Sequence, residues 1–259
     1  MYKRLAWARA GFGMIGVHLD VRGSRAAAEA VRDEISDIGV PVVFHKVNAA
    51  DDAKREAVMS AIGELFEERR AAGEQPMLGA LLHSLAFGST LHYITDEEGR
   101  KELSRKQLEM TADVMAHSLL YWTRDAYRAG FLQRGSRIYA MSSEGAILAV
   151  PTYGAVSAAK AALEAHVRQL ALELAHAGIT VNAIRAGVTD TPALRRIPGW
   201  QQLVEAAVKR NPHARLTRPE DVADALTALA TPQTHWMTGD VIGVDGGEVM
   251  GSRESTEIA

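Results

Sequence analysis

The sequence contains no cysteine. That excludes disulfides, thiolate zinc sites and cysteine nucleophiles, and it suits a reducing cytosol, so a cytoplasmic location is expected. No apolar run is long enough to span a bilayer, and the first residues carry no signal-peptide core, so no membrane association is expected. Neither sign of charge dominates. With 29 Lys and Arg against 32 Asp and Glu, the net charge of −3 gives no global attraction to nucleic acid. The nine histidines show neither His-x-x-x-His nor His-Glu-x-x-His spacing, so no metal site is expected. Fixed-period repeats and low-complexity stretches are also missing. The 259 residues are enough for one large α/β domain or two small ones.

What is there is an alternation. Residues 14–20 (MIGVHLD), 41–47 (PVVFHKV), 78–83, 137–141, 179–184 (ITVNAI) and 240–244 have the apolar, β-branched character of buried strands. Helical stretches separate them. Ser24 caps one to about residue 37, and another runs over about 52–70. Ser104 and Gln107 form a capping box for a long helix ending near Gly130, and further pieces cover 200–210 and 219–230, the last with Pro219 in its first turn. Strands alternating with helices mean a parallel sheet covered on both faces. The expectation is α/β: a single doubly wound Rossmann-like domain over 1–259, its sheet mostly parallel. Ligands bind such sheets beyond the carboxyl ends of the strands. Asp20, Asn48, Ser84, Ser143 and the run Gly187, Val188, Thr189, Asp190, Thr191 each fall at or just past such an end.

The most chemically suggestive stretch is 142–175 (SSEGAILAVPTYGAVSAAKAALEAHVRQLALELA). Tyr153 lies near the start of its helix and Lys160 follows seven residues later, about two turns, so both side chains share a face. An ammonium beside a phenol would lower the Tyr pKa, and the phenol could then serve an oxygen that gains charge. The plainer reading is a surface Tyr and Lys on an ordinary helix. The surrounding motifs decide between the two.

Together these motifs resemble the short-chain dehydrogenase/reductase family over nearly the whole chain, and within it the enoyl-acyl-carrier-protein reductase branch. Ordinary members carry Tyr-x-x-x-Lys; here the residue four before Lys160 is Val156, and Tyr153 with Lys160 matches the branch's Tyr-x6-Lys. His83, Ser84, Leu85, Ala86 and Phe87 stand where ordinary members have Asn-Ala-Gly. Met115 takes the position of their catalytic Asn, and the stretch from Ala186 through Gly187 to Thr191 replaces their Pro-Gly. Ser143 occupies the position of a second Tyr in many enoyl reductases and of the catalytic Ser in ordinary members. It either assists Tyr153 or hydrogen-bonds the loop after its strand.

The resemblance implies an NADH-dependent reduction of a 2-enoyl thioester, preferably on acyl carrier protein, with hydride delivered to C3. Tyr153 would stabilise the enolate oxygen, while Lys160 would bind the nicotinamide ribose and lower the Tyr pKa. Asp20 would accept from the adenosine ribose hydroxyls and repel a 2′-phosphate, favouring NAD(H), although Arg22 and Arg25 nearby would suit NADP(H). Asn48 and Ala49 would flank the adenine, Ser84, Leu85 and Ala86 would line the cofactor, and Gly187, Thr189 and Thr191 would meet the nicotinamide and phosphate. For Thr189 and Thr191 the alternative is helix capping before Pro192. The segment at about 191–218 matches the substrate lid. Its Arg195, Arg196, Lys209, Arg210, Arg215 and Arg218 would suit an acidic carrier protein, or simply form a solvated face. The family pairs its two long helices across two-fold axes, so a homotetramer is expected.

One departure is large. The family opens with a strand, a glycine-rich turn and a helix that together hold the cofactor diphosphate. This sequence opens MYKRLAWARAGFG, which resembles the end of that helix, so the first strand and turn have no counterpart. The literal G-x-G-x-x-G at Gly11, Gly13 and Gly16 precedes a strand rather than a helix and is a decoy on that ground. Two strand edges should then stand unpaired and dinucleotide binding should be weak, unless the 11–16 segment or another fills the role. Two alternatives follow: a carbonyl or alcohol dehydrogenase of the broader family, which Val156 argues against, and a truncated, non-catalytic chain acting as an assembly partner.

Overall fold

In the computed structural model, which describes residues 2–19 and 25–250, six strands and eight α-helices alternate along the chain. The strands are β1 (Met14–His18), β2 (Val42–Lys46), β3 (Ala80–His83), β4 (Arg137–Ser143), β5 (Thr180–Ala186) and β6 (Val241–Val244). The helices are α1 (Tyr2–Arg9), α2 (Arg25–Ile38), α3 (Asp52–Ala71), α4 (Arg105–Ala112), α5 (Ser118–Arg128), α6 (Gly154–Leu174), α7 (Trp200–Arg210) and α8 (Pro219–Leu229). Every strand pair is parallel, so the chain is α/β and Rossmann-like.

The sheet is divided in two at the unpaired edges that the absent first strand leads one to expect. β1 pairs only with β2, and β3, β4, β5 and β6 pair in that order. The outer sides of β1 and β3 carry no strand partner among the described residues, because no strand lies between them to accept their bonds. A cavity of about 550 Å³ separates the two sheets, with Ile15 and Val17 on one side and Leu81 and Leu82 on the other. Helices hold the halves together. Alternation along β1 turns Met14 into a core with Trp7 of α1 and Ile35 of α2, and Ile15 and Val17 toward Ile62 and Phe66 of α3. The α1 core also takes Tyr139 of β4, Ile184 of β5 and Leu226 of α8, and Trp7 Nε1 donates to the Leu226 carbonyl at 3.3 Å. The apolar contacts therefore bridge a break that the backbone hydrogen bonds do not.

The local signals behave as their chemistry dictates. Ser104 Oγ accepts the Gln107 amide at 3.3 Å while Gln107 Oε1 accepts the Ser104 amide at 3.0 Å, which completes the capping box. The long helix it starts is interrupted by a π-turn at Asp113–His117 between α4 and α5. Such turns frequently sit at functional sites, and this one carries Met115, buried. The glycine cluster does not form a phosphate loop: Gly11 turns the chain after α1 with φ +90°, and Gly16 lies inside β1 against the Phe44 ring. α6 buries Ala155, Val156, Ala159, Leu163 and Val167 against β4 and β5, which fixes where its first turn stands. No helix among the described residues is long and apolar enough to cross a membrane.

Candidate active site

The carboxyl ends of β3, β4 and β5 bring Ser84, Ser143 and Gly187 to one edge of the sheet, and α6 delivers Tyr153 and Lys160 beside them. Tyr153 is the residue just before α6. Thr152, preceding it, has φ +63°, a left-handed conformation uncommon for a branched residue, and its hydroxyl is buried without a protein partner. Strain of this kind collects where a neighbour's position matters. A Cβ on Gly145 would lie 2.6 Å from the Tyr153 ring, so glycine there lets the loop after β4 close on the phenol.

Ser143 stands close enough to the Tyr153 phenol to favour its ionised form, and its Oγ accepts the Gly145 amide at 3.2 Å. Of the two roles weighed for it, the hydrogen bond to the loop after its strand is present. The tuning of the phenol differs from the expectation. Burial pushes the Tyr153 pKa up, opposed by Ser143 and reinforced by the Glu144 carboxylate. The Lys160 ammonium is buried and donates to the Met141 carbonyl at 2.5 Å, pointing to the strand rather than the phenol. Its own pKa falls to about 8, first through burial and then through repulsion by Lys3, with Glu164 acting in the opposite direction. Glu164, one turn beyond Lys160, is buried and accepts from Ser142 Oγ at 2.5 Å.

The remaining candidates are spread along the same edge. Ser84 is exposed and accepts from Lys3 Nζ at 3.0 Å; Leu85 lines the cavity between the sheets, and Ala86 is exposed. Asn48 Oδ1 accepts the Ala50 amide at 3.1 Å, so one of its lone pairs serves the local turn, and the Ala49 carbonyl accepts Trp122 Nε1 at 2.8 Å. Thr189 Oγ1 donates to the Gly187 carbonyl at 2.9 Å. Thr191 Oγ1 accepts the Leu194 amide at 3.2 Å, which is the capping role. Asp20 and Arg22 lie outside the described residues.

Residues that carried no sequence signal turn out to brace this edge. A Cβ on Gly187 would lie 2.4 Å from Thr217 Oγ1 and 2.7 Å from Glu248 Oε2. Glu248 Oε2 accepts the Val188 amide at 3.2 Å, its Oε1 accepts Arg210 Nη2 at 3.1 Å, and that nitrogen also donates to Glu144 Oε2 at 2.7 Å. α7 is thereby tied to the loops after β4 and β5. Within the 191–218 segment Arg195 pairs with Asp190, Arg210 with the two glutamates and Arg215 with Asp221. A spacing search could not find Glu248 or Arg210, because their partners lie 38 to 66 residues away in sequence.

Comparison with known proteins gives the same picture. The family model described as enoyl-(acyl carrier protein) reductase matches residues 5–248. The NADH-dependent enoyl-acyl-carrier-protein reductase FabI of Aquifex aeolicus is 34% identical over 175 residues, 67% of this chain and 63% of that protein. A short-chain type dehydrogenase/reductase of Picea abies is 34% identical over 173 residues, 63% of each chain. In these alignments the chain spans about 63% of the length of either relative. The crystal structure of the Aquifex aeolicus reductase superposes with a TM-score of 0.79 at 26% identity, over 95% of this chain and 90% of that one. With the same fold, Tyr-x6-Lys at the head of α6 and a family model matched from residue 5 to residue 248, this chain belongs to the short-chain dehydrogenase/reductase family of oxidoreductases and resembles its enoyl-acyl-carrier-protein reductase branch.

Proposed function

We propose that the protein reduces a 2-enoyl thioester carried on acyl carrier protein, using NADH. The observation that carries this reading is the Tyr153 phenol, half-buried beside Ser143 at the head of α6, with an apolar Val156 where a carbonyl reductase of the broader family would place its Tyr. The donor set at the strand ends suits a dinucleotide: the Lys160 ammonium and the Ser84 and Thr189 hydroxyls stand at the ends of β3, β5 and α6's first turns. When bound, NADH supplies the hydride. Tyr153 keeps its proton through the working pH range because burial and Glu144 raise its pKa, so it meets a developing enolate as a neutral hydrogen-bond donor. Ser143 orients that phenol. Lys160 holds the end of β4 through Met141, and the family resemblance assigns it to the nicotinamide ribose.

The 191–218 segment, with α7 latched by Arg210, would cover the acyl chain, and a homotetramer would form through α5 and α6. Ala158, Ala161, Ala165 and Leu172 of α6 are exposed and supply an apolar face for that contact, while Ala155, Leu163 and Val167 are used by the core. The test is steady-state kinetics with a 2-enoyl thioester and either NADH or NADPH. Tyr153→Phe should lower kcat by about a hundredfold or more with cofactor affinity nearly unchanged, since it removes one donor to the oxyanion. Near-normal turnover by this variant, or a 3-ketoacyl substrate outpacing the enoyl one, would refute the reading.

A further inference from the structure

Lys3 stands in the first turn of α1, and nothing in the sequence pattern drew attention to it. Its Nζ donates to Ser84 Oγ at 3.0 Å, just past the end of β3. Its charge is felt by Lys160, whose Nζ lies at the Met141 carbonyl near the end of β4. Among the described residues, no carboxylate lies within ion-pair distance of either ammonium. Glu164 is the counter-charge that reaches Lys160 electrostatically, and one of its oxygens is taken by Ser142. Two cations therefore stand near the ends of the adjacent strands β3 and β4, Lys3 on Ser84 and Lys160 on the Met141 carbonyl, and no carboxylate is paired directly with either among the described residues. The strain registers in both: burial and Arg4 lower the Lys3 pKa to about 8, and Lys160 is lowered to about 8 as well.

The position has a topological meaning. From the cavity between the sheets, the strands run to β1 and β2 on one side and to β3 through β6 on the other. Lys3 and Ser84 both line that cavity, and a ligand lying across an open α/β sheet crosses at such a reversal of strand order. The backbone donors just past β5 are engaged: the Gly187 amide bonds the Val244 carbonyl, and the Val188 amide bonds Glu248. The glycines at 11, 13 and 16 do not form a loop that wraps an anion, since Gly16 is within β1 and paired opposite Phe44. We propose that Lys3 is an anion-binding residue of the dinucleotide site, and that its ammonium, beside Ser84, holds the diphosphate of the cofactor. This rests on the dinucleotide reading given above.

The experiment is calorimetric titration of the whole chain with NADH, ADP-ribose, inorganic pyrophosphate and, as a control without phosphate, adenosine. Lys3→Met keeps the apolar stem and removes the charge. It should weaken NADH, ADP-ribose and pyrophosphate by about ten- to a hundredfold, the range of one charge-assisted contact, and leave adenosine unchanged. Lys3→Arg should recover most of the loss. The Tm of Lys3→Met should equal or exceed that of the parent, because a repulsive charge is gone, which separates binding from folding. Undiminished NADH binding by Lys3→Met overturns the assignment of Lys3 and leaves the dinucleotide reading standing. Pyrophosphate binding that depends on Lys3, without any NADH binding, keeps the anion site and removes the dinucleotide reading. Absence of binding by all three phosphates to the parent chain overturns both.

Discussion

Glu248 offers a direct measure of how firmly the loop after β5 is held. Its side chain is fully buried, and its two oxygens divide between the Val188 amide at 3.2 Å and Arg210 Nη2 at 3.1 Å. Glu248→Gln preserves the shape but leaves one oxygen for two donors and turns an NH2 group toward the other. One charge-assisted bond is lost, worth about 1.5–3 kcal/mol, and a donor then faces a donor. Two effects reduce the cost. Arg210 keeps Glu144 at 2.7 Å and is 34% exposed, so water screens part of its charge. The carboxylate itself is uncomfortable, its pKa raised by burial and by Glu144 against the pull of Arg210 and the Val188 amide, so neutralising it recovers some desolvation. The balance is a destabilisation of about 2 kcal/mol. Urea unfolding of the parent, Glu248→Gln, Arg210→Met and the double variant supplies the assay, and the cycle should show a coupling of about 1 kcal/mol. A Glu248→Gln variant within about 0.5 kcal/mol of the parent, additive with Arg210→Met, would show that solvent holds these charges and that α7 is not latched.

Stability should also fall in mild acid through His83. Burial, and then the Lys160 charge, hold this residue down to about 3, with Nε2 at 2.7 Å from Ser118 Oγ and Nδ1 buried without a partner. Between about pH 6.5 and 3 the unfolded chain takes up a proton that the folded one refuses, so stability rises with pH across that window and is lost as pH falls through it. Melting curves from pH 7 to 4 should show a shallower decline for His83→Gln than for the parent, and identical slopes would exclude His83 as the cause. Sedimentation velocity at micromolar concentration should give a tetramer that Ala161→Glu on the exposed face of α6 dissociates; a monomeric parent would refute the proposed assembly.

Much of this protein is written in contiguous residues. The strand and helix periods, the Ser104–Gln107 box and Pro219 in the first turn of α8 act within a few residues, so the sequence alone places β1 to β6 within about two residues, and it reads α4 and α5 as the one helix that the π-turn divides. The seven-residue spacing of Tyr153 and Lys160 is likewise local, which is why their common helix and the enoyl-reductase resemblance were legible. What the side chains do there was not. A shared helix face suggested that Lys160 acts on Tyr153, yet tertiary packing turns the ammonium to Met141 and sets Glu144 and burial around the phenol, reversing the expected pKa shift. Charge effects depend on distance and on exclusion of water, and both are fixed only when segments far apart in sequence close on one another. Lys3 meets Ser84 across 81 positions, and Arg210 meets Glu144 across 66. The break between β1 and β3 belongs to the same class: the unpaired edges follow from which strands are present, but the helix packing that holds both sides of the cavity exists only in three dimensions.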